Sequence, residues 1–326
     1  GNLQKLEFLN LASNSIISLP DSISGLMNIE ELLISNNLLS GLPVNIGNLT
    51  NLTRLDASNN ALETIPESLG NLNQLNYLFL ENNQLVSLPD VFDDLSSLLE
   101  LRLYSNNLEI LPDSFGSFSE LLKLYLHANQ LSVLPDNFGS MSNLKTLRLN
   151  DNQLDFLPPS ISFMTSLEEL WLQRNQLDTL LEQIGLLGSL VNLRLDDNLL
   201  EYIPESIGDL GNLKALDLED NVLLLLPNSL CNIYSDLETF SANRNNLCSA
   251  PACISGSDIG SQTCIGCPPH YFMAGSPPVC VNESDYDILQ EFLDSNPESQ
   301  AMPAQSGIPY NASDLINPDW WDNGRL

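Results

Sequence analysis

Residues 98–108 read Leu-Leu-Glu-Leu-Arg-Leu-Tyr-Ser-Asn-Asn-Leu, and this wording recurs from residue 3 to residue 247. The shared pattern is L-x-x-L-x-L-x-x-N-x-L, followed by polar residues and then by L-P-x-x-I-G-x-L. Its asparagine recurs every 23 residues from Asn14 to Asn221, and the last step, to Asn245, is 24 residues. A fixed period of this length indicates stacked structural repeats.

Within the unit, Leu101 and Leu103 alternate with polar positions, which is the pattern of a short strand with one buried face. One unit cannot bury its apolar edge alone, so stacked units must share a continuous core. The recurring asparagine can satisfy backbone groups of the neighbouring turn, and we therefore interpret it as structural. The Leu-Pro and Ile-Pro pairs that follow favour extended segments or short helical turns, because proline fixes φ and lacks an N–H.

This spacing and wording resemble the leucine-rich repeat family, in its 23-residue L-P-x-x-I-G-x-L class. The resemblance implies an α/β repeat solenoid of about eleven rungs, with a parallel sheet on the concave face and short 3-10 or extended segments on the convex face. A small disulfide-rich cap is expected to close it. The expected domains are a solenoid at 1–247, a cysteine-rich cap at 248–283 and a helix with a Trp-rich segment at 284–326.

The sequences at the two ends of the chain indicate that it continues a larger repeat protein. Residues 1–3 match the middle of a repeat, at 47–49, so we expect a truncated N-terminus and a larger parent protein. Residues 285–294 have helical spacing, with Ser284 as N-cap. Together with Trp320 and Trp321 they are similar to the N-terminal cap of plant-type leucine-rich repeats, which implies a second repeat block. The alternative is that these tryptophans dock back on the cap.

All six cysteines lie at or beyond Cys231. An even count in a loop-rich segment favours a disulfide framework, and the candidates are Cys231, Cys248, Cys253, Cys264, Cys267 and Cys280. The resemblance adds that secreted leucine-rich repeat proteins place such a cap where Cys248 stands, and residues 264–271 are similar to small extracellular cysteine-rich modules. The alternatives are a zinc site built from Cys248, Cys253, Cys264 and Cys267, or free thiols. Asn282 and Asn311 are the candidate N-glycosylation sites.

The chain carries a formal net charge of −31, which argues against nucleic-acid binding and against docking on anionic membranes. It has no apolar run of the length that spans a bilayer, so we expect no membrane insertion. We find no catalytic constellation, and we expect no cofactor and no metal. A patch of oxygen-bearing side chains could hold calcium, although solvated acid is the favoured interpretation; it comprises Asn150-Asp151, Asp196-Asp197 and Glu219-Asp220.

The positive charge is not randomly placed, because nine of the eleven Lys and Arg residues fall on predicted strand-face positions. They are Arg54, Arg102, Lys123, Lys145, Arg148, Arg174, Arg194, Lys214 and Arg244. In the central column of that face, Arg102 and Arg148 each stand between aromatic residues, at a rung spacing that permits cation–π contact. The sequence therefore predicts a ligand-binding concave face, with His127 as a solvated side chain. Its candidate residues are Phe79, Arg102, Tyr104, Tyr125, His127, Arg148, Trp171 and Arg194. The alternative is a ladder that merely stiffens the sheet and balances Glu100, Glu169 and Asp196.

We expect a non-enzymatic protein-binding or structural module, extracellular or on the cell surface, that acts through this concave face. Its partner would be a protein or peptide, or other copies or subunits of a larger assembly. The alternative is a cytosolic signalling scaffold, since the same repeat class resembles small-GTPase-associated proteins. The state of the cysteines separates the two, because disulfides persist in oxidising compartments and are rare in the cytosol.

Overall fold

The structure is a computed structural model, which describes residues 3–248 and 250–262 and the backbone of residues 271–274 and 279–282. Eleven three-residue strands form one parallel sheet in chain order, which confirms the predicted eleven-rung array. They are β1 (Phe8–Asn10), β2 (Glu31–Leu33), β3 (Arg54–Asp56), β4 (Tyr77–Phe79), β5 (Glu100–Arg102), β6 (Lys123–Tyr125), β7 (Thr146–Arg148), β8 (Glu169–Trp171), β9 (Asn192–Arg194), β10 (Ala215–Asp217) and β11 (Thr239–Ser241). We number the rungs 1 to 11 after their strands.

The opposite side of the solenoid is built from short 3-10 helices, as the Leu-Pro pairs predicted. These helices are Asp21–Gly25, Ile46–Asn48, Glu67–Asn71, Phe92–Asp94, Asp113–Ser117, Phe138–Ser140, Pro159–Phe163, Ile184–Leu186, Glu205–Asp209 and Asn228–Leu230. Proline precedes the longer ones in extended conformation; Pro66, for example, has φ −75° and ψ 148°. Such a residue ends the extended segment and starts the turn without leaving an unpaired N–H.

The core lies between the sheet and the 3-10 helices as one continuous column of leucines. Leu101 and Leu103, the two strand leucines of rung 5, are fully buried, as are their equivalents in the neighbouring rungs. Full burial of each such side chain contributes about 1.5–3 kcal/mol. A local cluster of three phenylalanines reinforces rungs 4 and 5, where the ring centroids of Phe92 and Phe115 lie 4.7 Å apart and Phe118 joins them.

The recurring asparagine bridges neighbouring rungs through its side-chain amide, as the sequence predicted. In rung 5, the Asn106 Nδ2 donates to the carbonyl oxygens of Leu80 and Leu103, each at 3.0 Å. Its Oδ1 accepts a hydrogen bond from the Leu85 N–H, also at 3.0 Å. The side chain is 7% exposed. Each inward asparagine therefore pairs backbone groups that the turn would otherwise bury unsatisfied.

The residue before each asparagine adopts the left-handed conformation, with φ between 51° and 57° in all eleven rungs. Asparagine, aspartate and serine fill most of these positions, and such residues tolerate this conformation best. Arg174 and Arg244 occupy two of them. The prediction that these two arginines lie on the strand face is therefore wrong, because they stand in the turn that follows the strand.

Odd and even rungs differ in the length of their 3-10 helices, a feature that the sequence did not predict. The 3-10 helices of odd rungs have five residues and those of even rungs have three. In rungs 3 and 9 a serine of this helix bonds across to the preceding rung, and Ser229 of rung 10 makes the same contact with the Glu205 carbonyl. The Ser68 Oγ donates to the Val44 carbonyl at 2.6 Å, and the Ser206 Oγ donates to the Glu182 carbonyl at the same distance. The structural unit is thus two rungs, or 46 residues.

At the C-terminal end, helix α1 (Cys231–Tyr234) is joined to the segment before α2 (Gly256–Ile259) by a Cys231–Cys253 disulfide. Cys248 is disulfide-bonded as well. Cys253 is therefore not available for the alternative zinc site. Strands β12 (Tyr271–Ala274) and β13 (Val279–Asn282) pair antiparallel. Cys264, Cys267, Asn311 and the segment 284–326 lie outside the described residues.

Replacing Asn106 by leucine should lower the free energy of unfolding by about 3 kcal/mol or more, because three buried backbone groups lose their partner. Chemical denaturation of the two proteins measures the difference. Asn107→Ala is the matched control, since the Asn107 side chain accepts only one long hydrogen bond, at 3.4 Å from Gln130. It should change stability by no more than about 0.5 kcal/mol. Equal losses in both variants would contradict the structural role of the asparagine column.

Candidate binding face

Six residues at the same position of consecutive strands form a ladder on the concave face. We call them the Arg/aromatic ladder: Phe79, Arg102, Tyr125, Arg148, Trp171 and Arg194. Every neighbouring pair in it is in cation–π contact. The Arg102 guanidinium lies 4.2 Å from the Phe79 ring centroid and 5.7 Å from that of Tyr125. The predicted stacking of arginine between aromatic rings is confirmed.

The second half of the ladder continues in the same way. The Arg148 guanidinium lies 5.4 Å from the Tyr125 centroid and 3.7 Å from that of Trp171. Arg194 follows at 4.9 Å from the Trp171 ring. Each cation–π contact contributes about 0.5–1 kcal/mol at an exposed site and more where water is excluded. The ladder is therefore a preorganised surface whose side chains need little further ordering.

Carboxylates pair with the arginines of rungs 5 and 7, but not with the arginine of rung 9. The Arg102 Nε donates to the Glu100 Oε1 at 2.7 Å, and an Arg102 guanidinium nitrogen lies 3.8 Å from Glu81. Arg148 has a looser contact with Glu169, at 3.6 Å. Arg194 is exposed and forms no ion pair with any described residue. The free positive charge of the ladder therefore lies at rung 9.

Phe79 does not lie on the surface as an exposed aromatic residue. Its ring is only 5% exposed because the guanidinium groups of Arg54 and Arg102 cover it, at 4.9 Å and 4.2 Å from the centroid. Phe79 thus supports the two arginines from below. Tyr125 and Trp171 are half-buried and present part of each ring to the concave side.

A second column runs beside the ladder, two residues after each ladder residue and therefore just past the end of each strand. We call it the polar column: Glu81, Tyr104, His127, Asn150, Gln173 and Asp196. The rings of Tyr104 and His127 are stacked with centroids 4.4 Å apart, and Tyr125 meets His127 edge-on at 6.4 Å. Burial, with the neighbouring Arg148 charge, lowers the pKa of His127 to about 4. His127 is therefore a neutral, stacked side chain and not the solvated one that the sequence predicted.

Buried polar atoms without a hydrogen-bond partner concentrate on these two columns. In the described part of the chain there are nine such side-chain atoms, and seven of them belong to the ladder or the polar column. They are Glu81 Oε2, His127 Nδ1, Arg148 Nε, Asn150 Oδ1, Trp171 Nε1, Gln173 Oε1 and Asp196 Oδ1. Each unpaired buried group costs about 1–3 kcal/mol. A stability cost concentrated on one face is typical of a surface selected for function.

Seven of the nine basic residues predicted on the strand face lie in or directly before the strands of the concave side. Arg54 and Lys123 lie in strands together with the three arginines of the ladder, and Lys145 and Lys214 directly precede strands. Arg174 and Arg244 occupy the turns, where Arg174 lies 2.7 Å from Asp151. In a chain of net charge −31, this places most of the positive charge along one surface.

The patch considered for calcium, from Asn150 in rung 7 to Asp220 in rung 10, does not form a metal site in the described residues. No group of three or more His, Cys, Asp or Glu side chains there is arranged to hold an ion. Burial, followed by repulsion from Asp217, raises the pKa of Asp196 to about 6. The described residues also include no helix with the length and hydropathy needed to cross a bilayer.

Two family models match the chain within the solenoid. One, described as leucine rich repeat, matches residues 123–177. The other, of the same description, matches residues 5–26, 51–72 and 97–118. No curated protein sequence matches the chain.

Several solved structures share the fold. A leucine-rich repeat protein of Leptospira interrogans is 29% identical with a TM-score of 0.56, over 81% of this chain and 78% of that one. The plant peptide hormone receptor RGFR1, in complex with RGF2, is 27% identical with a TM-score of 0.50, over 73% of this chain and 47% of the receptor. A chain of the octameric complex of Latrophilin 3, Unc5D and the LRR of FLRT2 is 25% identical with a TM-score of 0.63. The match covers 76% of this chain and 79% of that one.

The half-buried, stacked His127 makes stability depend on pH in a defined window. The unfolded chain binds a proton on this imidazole at about pH 6.5, whereas the folded chain binds it only near pH 4. The folded state should therefore lose stability as the pH falls through this window. His127→Gln should remove that part of the slope, and glutamine already stands at the same position in rung 8, as Gln173. Urea unfolding of both proteins at several pH values measures it; parallel pH profiles would contradict the assignment.

Proposed function

We propose that this leucine-rich repeat protein is a non-enzymatic, extracellular or cell-surface module that binds a protein or peptide on its concave face. The Arg/aromatic ladder and the polar column from rung 4 to rung 9 form the binding surface. The same surface could join copies or subunits of a larger assembly, since both uses require a preorganised face that contacts another polypeptide.

The observation that carries this proposal is the coincidence of three features on one face. The stacked arginines and aromatic rings lie there, most of the basic residues lie there, and seven unpaired buried polar atoms lie there. Tryptophan, tyrosine and arginine are the residues that dominate binding energy at protein interfaces. A ladder that only stabilised the sheet would be expected to pair all of its buried polar atoms, because an unpaired buried donor lowers stability. Trp171 Nε1 and Arg148 Nε have no hydrogen-bond partner.

The open end of the ladder indicates which group a partner should present. Arg194 is exposed beside Trp171, and Arg148 is only loosely held by Glu169. A partner carboxylate can accept hydrogen bonds from these guanidinium groups, and an apolar or aromatic partner side chain can cover the Trp171 ring. We therefore expect a segment that combines acidic and aromatic residues, centred on rungs 7 to 9.

The proposed location is supported by the C-terminal disulfides. The Cys231–Cys253 bond joins two elements of the end of the array, and Cys248 is bonded too. Disulfides of this structural kind are formed and kept in oxidising compartments. They favour the extracellular proposal over the alternative of a cytosolic signalling scaffold. The resolved complexes of the plant peptide hormone receptor and of FLRT2 are consistent with a polypeptide partner.

The binding surface can be tested with random peptides displayed on phage and selected on the intact protein. Selected peptides should be rich in acidic and aromatic residues. The double variant Arg148→Ala with Trp171→Ala should bind them at least about tenfold more weakly, because it removes two anchors at the centre of the face. Fluorescence anisotropy measures the dissociation constants, and circular dichroism checks that the variant is folded.

A matched control changes the same residue types away from the ladder. Arg174→Ala with Phe163→Ala replaces an arginine of the turn and an exposed phenylalanine of a 3-10 helix. Alanine is compatible with the left-handed turn, since Ala128 occupies the same position in rung 6. This control should bind the peptides like the unaltered protein. If the ladder variant also retained full affinity, the concave face would not be the binding surface.

The proposed location has its own test, which is peptide mapping of natively purified protein without reduction. We expect a disulfide-linked peptide pair containing Cys231 and Cys253, and glycan on Asn282 or Asn311. Mass spectrometry with and without a glycosidase identifies both. Free thiols at both cysteines together with unmodified asparagines would move the protein to the cytosol and make the signalling scaffold the better proposal.

A further inference from the structure

A second surface lies on the flank of the solenoid, where the chain passes from the strand turn towards the 3-10 helix. Four exposed apolar side chains occupy the same position in rungs 5, 6, 7 and 9, each four residues after the recurring asparagine. We call them the apolar stripe: Ile110 at 59% exposure, Val133 at 39%, Phe156 at 47% and Tyr202 at 47%. Thr179 holds this position in rung 8 and is also exposed.

The fold does not require apolar residues at this position. In rungs 1 to 4 the same position is Ser18, Gly41, Thr64 and Ser87, and those rungs adopt the same backbone. The flank is in register from rung to rung. The Glu201 N–H donates to the Asp178 carbonyl at 3.5 Å, and the Leu224 N–H donates to the Glu201 carbonyl at 3.0 Å. The apolar stripe is thus a continuous surface that the packing of the core does not explain.

Acidic side chains line both edges of the apolar stripe. One edge is the position directly before it, and the other is the position after the proline, or after Leu181, which replaces the proline in rung 8. All eight of these carboxylates are exposed: Glu109, Asp155, Asp178 and Glu201 on the first edge, and Asp113, Asp136, Glu182 and Glu205 on the second. None forms an ion pair with a described residue. A partner for this flank must therefore be apolar along its centre and basic along both edges.

The spacing of the rungs distinguishes a helix from a strand as the bound segment. Neighbouring rungs of a parallel sheet are about 4.8 Å apart, so the apolar stripe spans about 19 Å from Ile110 to Tyr202. Successive turns of a helix laid along it are about 5.4 Å apart, a mismatch of only about 0.6 Å per rung. Residues on the same face of a strand are about 6.6 Å apart, a mismatch of about 1.8 Å per rung. A bound strand would therefore lose register with the stripe after one rung. A helix of about 13 residues covers the whole stripe.

We propose that this flank docks a basic amphipathic helix of a partner protein. Its apolar side chains would cover the apolar stripe, and lysine or arginine on its two edges would pair with the flanking carboxylates. Residues 284–326 do not supply such a segment, because they contain a single basic residue, Arg325, among several acidic ones. A second copy is disfavoured as well, since each copy carries a net charge of −31. This surface is separate from the concave face, so the two proposals stand independently.

The test uses two synthetic peptides of identical lysine and leucine composition. One is ordered as an amphipathic helix, and the other is scrambled so that it has no apolar face. The intact protein should bind the ordered peptide about tenfold more tightly than the scrambled one, because only the ordered peptide covers the stripe. Ile110→Ser, Phe156→Ser and Tyr202→Ser combined should abolish this preference in a fluorescence anisotropy titration.

Two controls separate the stripe from general attraction between opposite charges. Val44→Ser, Phe163→Ser and Leu186→Ser combined remove equally exposed apolar side chains outside the stripe, at 71%, 67% and 57% exposure, and should keep the preference. Asp155→Lys with Glu201→Lys should weaken binding of the ordered peptide more than Asp21→Lys with Glu67→Lys, which reverses the same number of exposed acidic charges in rungs 1 and 3, away from the stripe.

Three outcomes would overturn the proposal. The two peptides could bind with equal affinity, which would leave only charge attraction. The outside variant could lose the preference as fully as the stripe variant. The preference could be lost instead in the Arg148→Ala and Trp171→Ala variant, which would place the peptide on the concave face. The expected result is that this concave variant binds the ordered peptide like the unaltered protein.

Discussion

The rest of the structure depends on the side-chain amide of the recurring asparagine. A rung that turns sharply after three strand residues buries backbone groups that no sheet neighbour can reach. The amide of Asn106 pairs three of them, two in the preceding rung and one in its own. The same bonds recur along the array, for example at Asn198, which reaches back to Leu172 and Leu177. Because each amide joins two rungs, it sets the spacing and register with which the rungs stack.

A fixed register is what allows side chains of successive rungs to act together. On the concave face, it places Arg148 between Tyr125 and Trp171, residues that are 23 positions away along the chain in either direction. On the flank, it aligns Ile110 with Phe156 two rungs later. A repeat that varied in length would scatter these residues. The asparagine column is therefore the structural precondition for both proposed surfaces, although it contacts neither partner.

The sequence was sufficient to predict features that depend on period alone. The eleven strands, the short 3-10 helices, the inward asparagine and the stacked arginines all follow from residues recurring at 23-residue intervals. Features that depend on side-chain direction across two rungs were missed or wrong. Phe79 is covered because Arg54 and Arg102 both lie over its ring, and His127 is half-buried because Tyr104 stacks on it. Arg174 stands in the turn because the strand is only three residues long.

The two-rung unit could have been recognised from the sequence, because Arg102, Arg148 and Arg194 are spaced 46 residues apart.

The two proposed surfaces divide the charge of the molecule between them. Most basic residues lie on the concave side, where Arg102 is already balanced by Glu100 and Glu81 and Arg194 has no ion-pair partner among the described residues. The flank carries carboxylates with no basic neighbour, and the apolar stripe runs between them. A partner suited to one surface is therefore repelled by the other, since an acidic segment that pairs with Arg194 cannot approach Asp155 and Glu201 favourably. One rigid array can in this way hold two different polypeptides without competition between them.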